Sequence, residues 1–102
     1  MADRLLTFCI DIDGVLCEDG SYPNYHLAAP KQEYIKKVRK LYKAGHRIVL
    51  FSARYFSDQD VTITWLRRYR IPFHKLILDK PSADIYVDDR GVSLLDWLVT
   101  TY

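Results

Sequence analysis

Carboxylates, a hydroxyl and an ammonium group follow short apolar runs at four places in the chain. The first run ends in Asp11 and Asp13, and the later runs end in Ser52, Lys80 and the pair Asp88–Asp89. Four carboxylates at one place repel each other unless a cation joins them, and oxygen ligands favour Mg²⁺ over zinc or copper. An Asp carboxylate can attack phosphorus and form an aspartyl-phosphate. These residue types therefore indicate Mg²⁺-assisted phosphoryl transfer with Asp11 as the nucleophile.

The apolar runs have the pattern of buried strands, and helical segments alternate with them. This alternation predicts an α/β domain with a parallel sheet, in which the ligand site lies beyond the carboxyl ends of the strands. All the polar candidates then meet at one edge. The predicted strands are Leu5–Ile10, Arg47–Phe51, Lys75–Leu78 and Ile85–Val87. The predicted helices run from Pro30 to Gly45, from Ser57 or Asp58 to Ile71, and from Val92 to Val99.

Length and charge favour one small globular protein. The 102 residues form a single predicted domain, 1–102, with 15 basic and 13 acidic side chains and a net charge of +2. The lysine-rich helix face at 36–43 is most simply a solvated surface, which argues against nucleic-acid binding. No apolar run is long enough for a membrane span. Two cysteines, of which Cys9 is predicted to be buried, are typical of a reduced cytoplasmic protein.

The order of these segments resembles the haloacid dehalogenase-like superfamily of phosphatases. The chain also resembles small capless members of polysaccharide biosynthesis, which share a Lys-Pro-x-Ala-Asp-x-Tyr-x-Asp-Asp run. The matching motifs are Asp11-Ile12-Asp13-Gly14-Val15, Phe51-Ser52, Lys80 and Val87-Asp88-Asp89.

This resemblance implies a three-layer Rossmann-like domain with a short, mostly parallel sheet and helices on both faces. It also implies roles: Asp11 is the nucleophile, Asp13 the general acid and base, and Ser52 and Lys80 contact the phosphate. Mg²⁺ would bind Asp11, the Asp13 backbone and Asp88, with Asp89 as an outer or water-mediated ligand. Arg54 is a further candidate phosphate ligand, equally compatible with a surface position. The implied substrate is a small phosphomonoester, such as a sugar phosphate or a nucleotide.

Two departures from the usual family pattern concern chain length. About 15 residues separate Val15 from the first helix, so no cap domain is expected. Capless members are expected either to accept large substrates or to borrow a cap from a neighbouring subunit of a homo-oligomer. The stretch after Lys80 is also short, because five residues span at most ~17 Å. The third strand is therefore expected to be very short, irregular or not parallel.

Several bland readings compete with these assignments. Ser52 could be a turn cap and Lys80 a solvated lysine, and the aromatic loop residues could pack on each other or stack on a substrate. Trp65 is predicted to belong to the core. A phospho-receiver domain places its acidic pair after the first strand and its phosphorylated Asp after the third. Here two acidic residues follow the predicted fourth strand, which disfavours that class. A binding module without turnover is the remaining alternative. The aromatic loop residues are Tyr22, Tyr25, His26, Tyr55 and Phe56.

Overall fold

A three-stranded parallel sheet organises the molecule, whose computed structural model describes residues 4–19 and 22–102. The strands are β1 (Thr7–Asp11), β2 (Arg47–Phe51) and β3 (Lys75–Ile77), in the spatial order β1-β2-β3. The predicted α/β class and parallel sheet are confirmed, and the residues described contain no cap domain. The third strand is short, as expected, and it is parallel.

Within residues 4–19 and 22–102, three helices and two single turns of 3₁₀ helix connect and follow the strands. The helices are α1 (Gln32–Lys43), α2 (Gln59–Arg68) and α3 (Leu94–Val99), and the 3₁₀ turns are Tyr25–Leu27 and Phe56–Asp58. None of the helices within the described ranges is long and apolar enough to cross a membrane.

Helix α1 shows how the sequence determines both its packing face and its end. Its apolar positions recur at three- and four-residue steps, so one side of the helix is buried in the core. Gly45 has a φ of +95° and donates its N–H to the carbonyl of Tyr42, while His46 donates to that of Leu41. This is the Schellman arrangement, in which a residue with positive φ ends the helix. The predicted end at Gly45 is confirmed, whereas the start lies at Gln32 rather than Pro30.

The main core lies between one face of the sheet and the helices. Trp65 is 1% exposed and donates its indole N–H to the carbonyl of Ala28 at 3.0 Å, which confirms the prediction that it is a core residue. Helix α3 joins the same core, because the ring of Trp97 stacks on Tyr34 of α1. The central members of the core are Ile10, Ile35, Val38, Ile48, Leu50, Trp65 and Leu66.

The second face of the sheet is buried at Val49 of the central strand and exposed on the two outer strands. Cys9 lies opposite Val49 on this face and is exposed, so the prediction of a buried thiol is wrong. Ile77 at the end of β3 is also exposed. The reason is that the helices named above gather in the core on the first face.

The predicted fourth strand, Ile85–Val87, is wrong. The structure assigns neither strand nor helix to residues 81–93, and the side chain of Val87 is 92% exposed. A parallel strand needs a crossover connection of a dozen or more residues, usually a helix. Only the residues from Pro81 to Asp84 separate Lys80 from this segment, so the chain cannot return beside β1 in that way.

Candidate functional site

A cleft of about 460 Å³ lies at the carboxyl edge of the sheet. Its lining includes Asp11, Asp13, Asp19, Arg54 and three tyrosines. A depression of about 490 Å³, lined by Arg39, Tyr42, Lys43, Arg70 and Pro72, contains no carboxylate. The first cleft is therefore the place where the predicted chemistry can be examined.

Asp11 is the last residue of β1 and its carboxylate is held at both oxygens. Oδ1 accepts a hydrogen bond from the N–H of Ile12 at 2.8 Å, and Oδ2 accepts one from Nζ of Lys80 at 3.1 Å. The Lys80 ammonium lies 4.0 Å from the ring centroid of Phe51 and 4.1 Å from that of Tyr86. The structure thus brings Lys80 to Asp11 and encloses it between two aromatic rings, where cation–π attraction favours a positive charge.

The backbone after β3 explains how Lys80 reaches Asp11. The N–H of Ser52 donates to the carbonyl of Ile77, and the N–H of Lys80 donates to the carbonyl of Ser52 at 3.0 Å. The chain beyond β3 therefore stays beside the end of β2. Lys80 lies at the same edge as Asp11 because of this pairing, without any fourth strand.

Asp13 forms a two-point ion pair with Arg54. Nε of Arg54 lies 2.9 Å from Oδ2 and Nη2 lies 2.8 Å from Oδ1. Paired N–H donors of this kind fix both the position and the orientation of a carboxylate. The backbone turns directly after Asp13 at Gly14, whose φ of +86° is a conformation that glycine adopts readily.

Arg54 is enclosed on its remaining sides, and its residue exposure is only 2%. Nη1 donates to Oγ1 of Thr62 at 3.1 Å, and the ring centroid of Tyr25 lies 3.8 Å from the guanidinium carbon. Burial lowers the pKa of Arg54, but the hydrogen bonds and charge of Asp13 outweigh it, so the pKa is raised and the side chain stays charged. The surface alternative for Arg54 is therefore wrong. Its N–H groups donate to Asp13 and Thr62, and a contact between Arg54 and a phosphate stays a prediction.

Ser52 is fully buried and supports the turn that carries Arg54. Its Oγ accepts a hydrogen bond from the backbone N–H of Arg54 at 3.0 Å. The turn-cap reading of Ser52 describes this geometry. A contact between its hydroxyl and a phosphate stays a prediction.

Asp88 and Asp89 lie outside this cleft, contrary to the predicted convergence. Oδ1 of Asp88 accepts hydrogen bonds from the backbone N–H groups of Arg90 and Gly91, which together lower the pKa of Asp88. Asp89 lies 3.9 Å from Arg90, and both side chains are more than 90% exposed, so this pair contributes little. Across residues 4–19 and 22–102, no three His, Cys, Asp or Glu side chains gather to hold a metal ion.

Sequence reasoning missed three residues that build the site. Thr62 looks like an ordinary helix residue, and Tyr86 belonged to the predicted strand. Asp79 has a φ of +60° and accepts the N–H of Phe56 at 3.1 Å, while its own N–H donates to the carbonyl of Arg54. An aspartate directly after a predicted strand was the available signal for that turn, since Asp tolerates positive φ better than most residues.

Cys17 is a buried neighbour of the ion pair. Its Sγ lies 3.5 Å from Oδ1 of Asp13 and 3.8 Å from Nη2 of Arg54. Burial and, to a smaller extent, the negative charge of Asp13 raise the pKa of this thiol to about 12. Cys17 is therefore a neutral packing residue behind Asp13.

Comparisons with known proteins support the fold. No protein-family model matches the sequence, and no curated protein matches it either. The chain is similar to an MCSG target from Vibrio cholerae of known crystal structure, with 20% identity, a TM-score of 0.82, and coverage of 95% of this chain and 90% of that one. It is also similar to a chain in the structure of a Pnkp1/Rnl/Hen1 complex, with 19% identity and a TM-score of 0.63. That second match covers 82% of this chain and 30% of the other. At these identities the similarity shows a shared fold.

Proposed function

We propose that this chain is a phosphomonoester hydrolase in which Asp11 attacks phosphorus. One observation carries the proposal. Two carboxylates, separated by one residue, line the same cleft, and each has its own cation: Lys80 at 3.1 Å from Asp11 and Arg54 at 2.8 Å from Asp13. Such a division is what a nucleophile and a separate proton carrier require.

The two pairs give their carboxylates different surroundings. Oδ2 of Asp11 accepts a hydrogen bond from the single ammonium of Lys80, which can turn from Asp11 towards an incoming phosphate oxygen. Asp13 is fixed at both oxygens by a rigid, buried guanidinium. Asp11 is therefore the better placed of the two to exchange its partner for a substrate. Asp13 is the better placed to keep its position throughout a reaction.

The donor set of the cleft fits Mg²⁺ in part. Mg²⁺ takes one or two carboxylates together with waters and substrate phosphate oxygens, and Asp11 with the backbone carbonyl of Asp13 would supply the protein ligands. Asp88 and Asp89 are not available at this place, because Asp88 closes a turn of its own. When bound, the ion would act as a Lewis acid on the transferring phosphoryl group.

The chain's own residues would act in two steps. In the first, a carboxylate oxygen of Asp11 bonds to phosphorus as the bond to the leaving oxygen breaks. For this step one oxygen of Asp13 exchanges its contact with Arg54 for a proton taken from solvent, and Asp13 gives that proton to the leaving oxygen. Lys80 moves from Asp11 to the phosphoryl oxygens, where it offsets negative charge. In the second step Asp13 takes a proton from water, the water oxygen bonds to phosphorus, and the aspartyl-phosphate bond breaks to release inorganic phosphate.

A phosphate-release assay with Mg²⁺ tests this function. We expect hydrolysis of p-nitrophenyl phosphate that depends on Mg²⁺ and is lost in Asp11→Asn. Asp60→Asn is the matched control, because Asp60 is an exposed residue in the first turn of α2 and does not line the cleft. Absence of turnover on a broad panel of phosphomonoesters would reject the hydrolase.

A binding module without turnover is the second candidate. The position of Asp88 and Asp89 outside the cleft favours it, since a family enzyme would be expected to bring an acidic residue from that segment to the metal. Binding of Mg²⁺ and phosphate without hydrolysis would support the module. A cytoplasmic location, with both cysteines as free thiols, is part of our proposal for either candidate.

A further inference from the structure

Two exposed tyrosines stand at the mouth of the cleft. Tyr22 and Tyr55 both line it, they come from different segments of the chain, and each is 65% exposed. Singly exposed aromatic residues are common on protein surfaces. Two that line the same cleft as a candidate nucleophile indicate a role in binding.

The ring of Tyr22 is supported from below. It packs edge-on against Tyr25 with 5.7 Å between the ring centroids, and Tyr25 in turn covers the guanidinium of Arg54. A continuous series of contacts therefore runs from Arg54 through Tyr25 to Tyr22. Because Tyr25 is buried, Tyr22 has a fixed base to rest on.

Tyr55 is supported by the turn that it begins. Its carbonyl accepts the N–H of Asp58 at 2.9 Å, and the N–H of the following Phe56 donates to Asp79. The peptide group that follows the tyrosine is thus held at both its carbonyl and its N–H, while the side chain of Tyr55 is exposed to a ligand. Tyrosine is also suited to binding because it fixes only two side-chain torsions.

We propose that the leaving group of the substrate carries a planar aromatic ring, as in a nucleotide, and that this ring stacks on Tyr22 and Tyr55. The inference rests on the proposed hydrolase and adds its substrate class. A hexose phosphate has hydroxyl groups to be recognised instead. Among the described residues, the polar side chains of the lining, apart from Asp11, Asp13, Arg54 and the tyrosines, are Asp19 and Ser82. Stacking of a base on an aromatic side chain corresponds to roughly 5- to 150-fold in affinity.

The test compares kcat/KM for four kinds of phosphomonoester: nucleoside 5′-monophosphates, an oligonucleotide with a terminal phosphate, hexose phosphates and glycerol phosphate. We expect the nucleoside 5′-monophosphates to exceed the hexose phosphates by at least about tenfold. The oligonucleotide arm separates a free nucleotide from a strand end as the source of the ring.

Variants at the two tyrosines sharpen the test. Tyr55→Leu and Tyr22→Leu should each raise KM for nucleotides by about tenfold and change kcat/KM on glycerol phosphate by a clearly smaller factor. Tyr42→Leu is the matched control, since Tyr42 is a partly exposed tyrosine that lines the other depression.

Three results would overturn the inference. Equal kcat/KM on hexose phosphates and nucleotides would remove the ring preference while the hydrolase stands. An equal loss on glycerol phosphate in the tyrosine variants would show a structural role only. No hydrolysis of any ester would reject the proposed function and this inference with it.

Discussion

Two apolar segments of the chain are each followed by an acidic pair, but only one of the two forms a strand. Ile10 precedes an acidic pair spaced by one residue, and Val87 precedes an adjacent acidic pair. The first segment forms strand β1, whose Ile10 is 6% exposed and whose terminal carboxylate meets Lys80. The second forms no strand, and Val87 is 92% exposed.

An apolar run forms a strand only when the chain can bring a neighbouring strand beside it. β1 is followed by a long connection that contains α1, so β2 can return beside it in parallel. Residues 81–84 provide no such connection before Ile85. The carboxylates after the first segment are consequently paired with cations, while Asp88 bonds to its own backbone turn.

Hydrogen exchange should show the largest contrast between the two segments. Amides of β1 and β2 lie in a hydrogen-bonded parallel ladder, whereas residues 81–93 have no regular backbone pairing. We expect the ladder amides to exchange slower than those of 81–93 by a factor on the order of 10³ or more in protection, as measured by NMR. Protection of Ile85–Val87 equal to that of β1 would mean that this segment pairs with a strand in solution and would break the comparison.

Replacing Arg54 tests whether its two-point ion pair with Asp13 supports proton transfer by that carboxylate. Arg54→Lys keeps the charge but cannot form the two-point contact with Asp13. We expect kcat to fall by about 10²-fold on glycerol phosphate, whose leaving oxygen needs a proton, and clearly less on p-nitrophenyl phosphate, which leaves easily.

Arg39→Lys is the control for that substitution. Arg39 also holds backbone carbonyls through its guanidinium, but it lies at the other depression. It should leave both rates unchanged. Equal losses on the two substrates in Arg54→Lys would indicate that Arg54 only supports the fold, and the proton-transfer role of Asp13 would lose its structural argument.

The two cysteines give a smaller contrast between the open face of the sheet and the buried corner. Cys9 is exposed, whereas Cys17 is buried with its pKa raised from 9.0 to about 12. At pH 8 only about 10⁻⁴ of such a thiol is ionised, so we expect an alkylating reagent to modify Cys9 at least about tenfold faster.

The pH dependence of this contrast has a defined sign. Because the folded state raises the pKa of Cys17, the stability that it contributes is complete below pH 9 and is lost as the pH rises towards 12.

The two cysteine variants separate the thiols. Cys9→Ser should abolish rapid labelling at pH 8, and Cys17→Ser should retain it, as followed by intact mass. Rapid labelling of Cys9→Ser would show that the corner behind Asp13 is open.

Local patterns in the sequence predict most of the elements and half of the site. The strand Arg47–Phe51, the helix end at Gly45 and the burial of Trp65 follow from short-range periodicity and turn chemistry, and each is confirmed. The position of Lys80 beside Asp11 follows from the shared edge of parallel strands.

The rest depends on contacts that no local pattern encodes. Arg54 and Asp13 are 41 residues apart, and the burial of their pair is set by Thr62 and the ring of Tyr25. Sequence reasoning placed Arg54 near the site but could not distinguish a guanidinium facing phosphate from one facing a carboxylate. The apolar pattern at Ile85–Val87 predicts a strand, but residues 81–84 are too short a connection for the crossover that a parallel strand needs.

Chemical trapping of the phosphorylated residue tests the central claim most directly. The protein would be mixed with p-nitrophenyl phosphate and Mg²⁺, quenched within a turnover and reduced with borohydride, which converts an aspartyl-phosphate to homoserine. Our account predicts homoserine at position 11, identified by peptide mass spectrometry, and none in Asp11→Asn. Active turnover with homoserine at another aspartate, or with none at any residue, would contradict the assignment of Asp11 as the nucleophile.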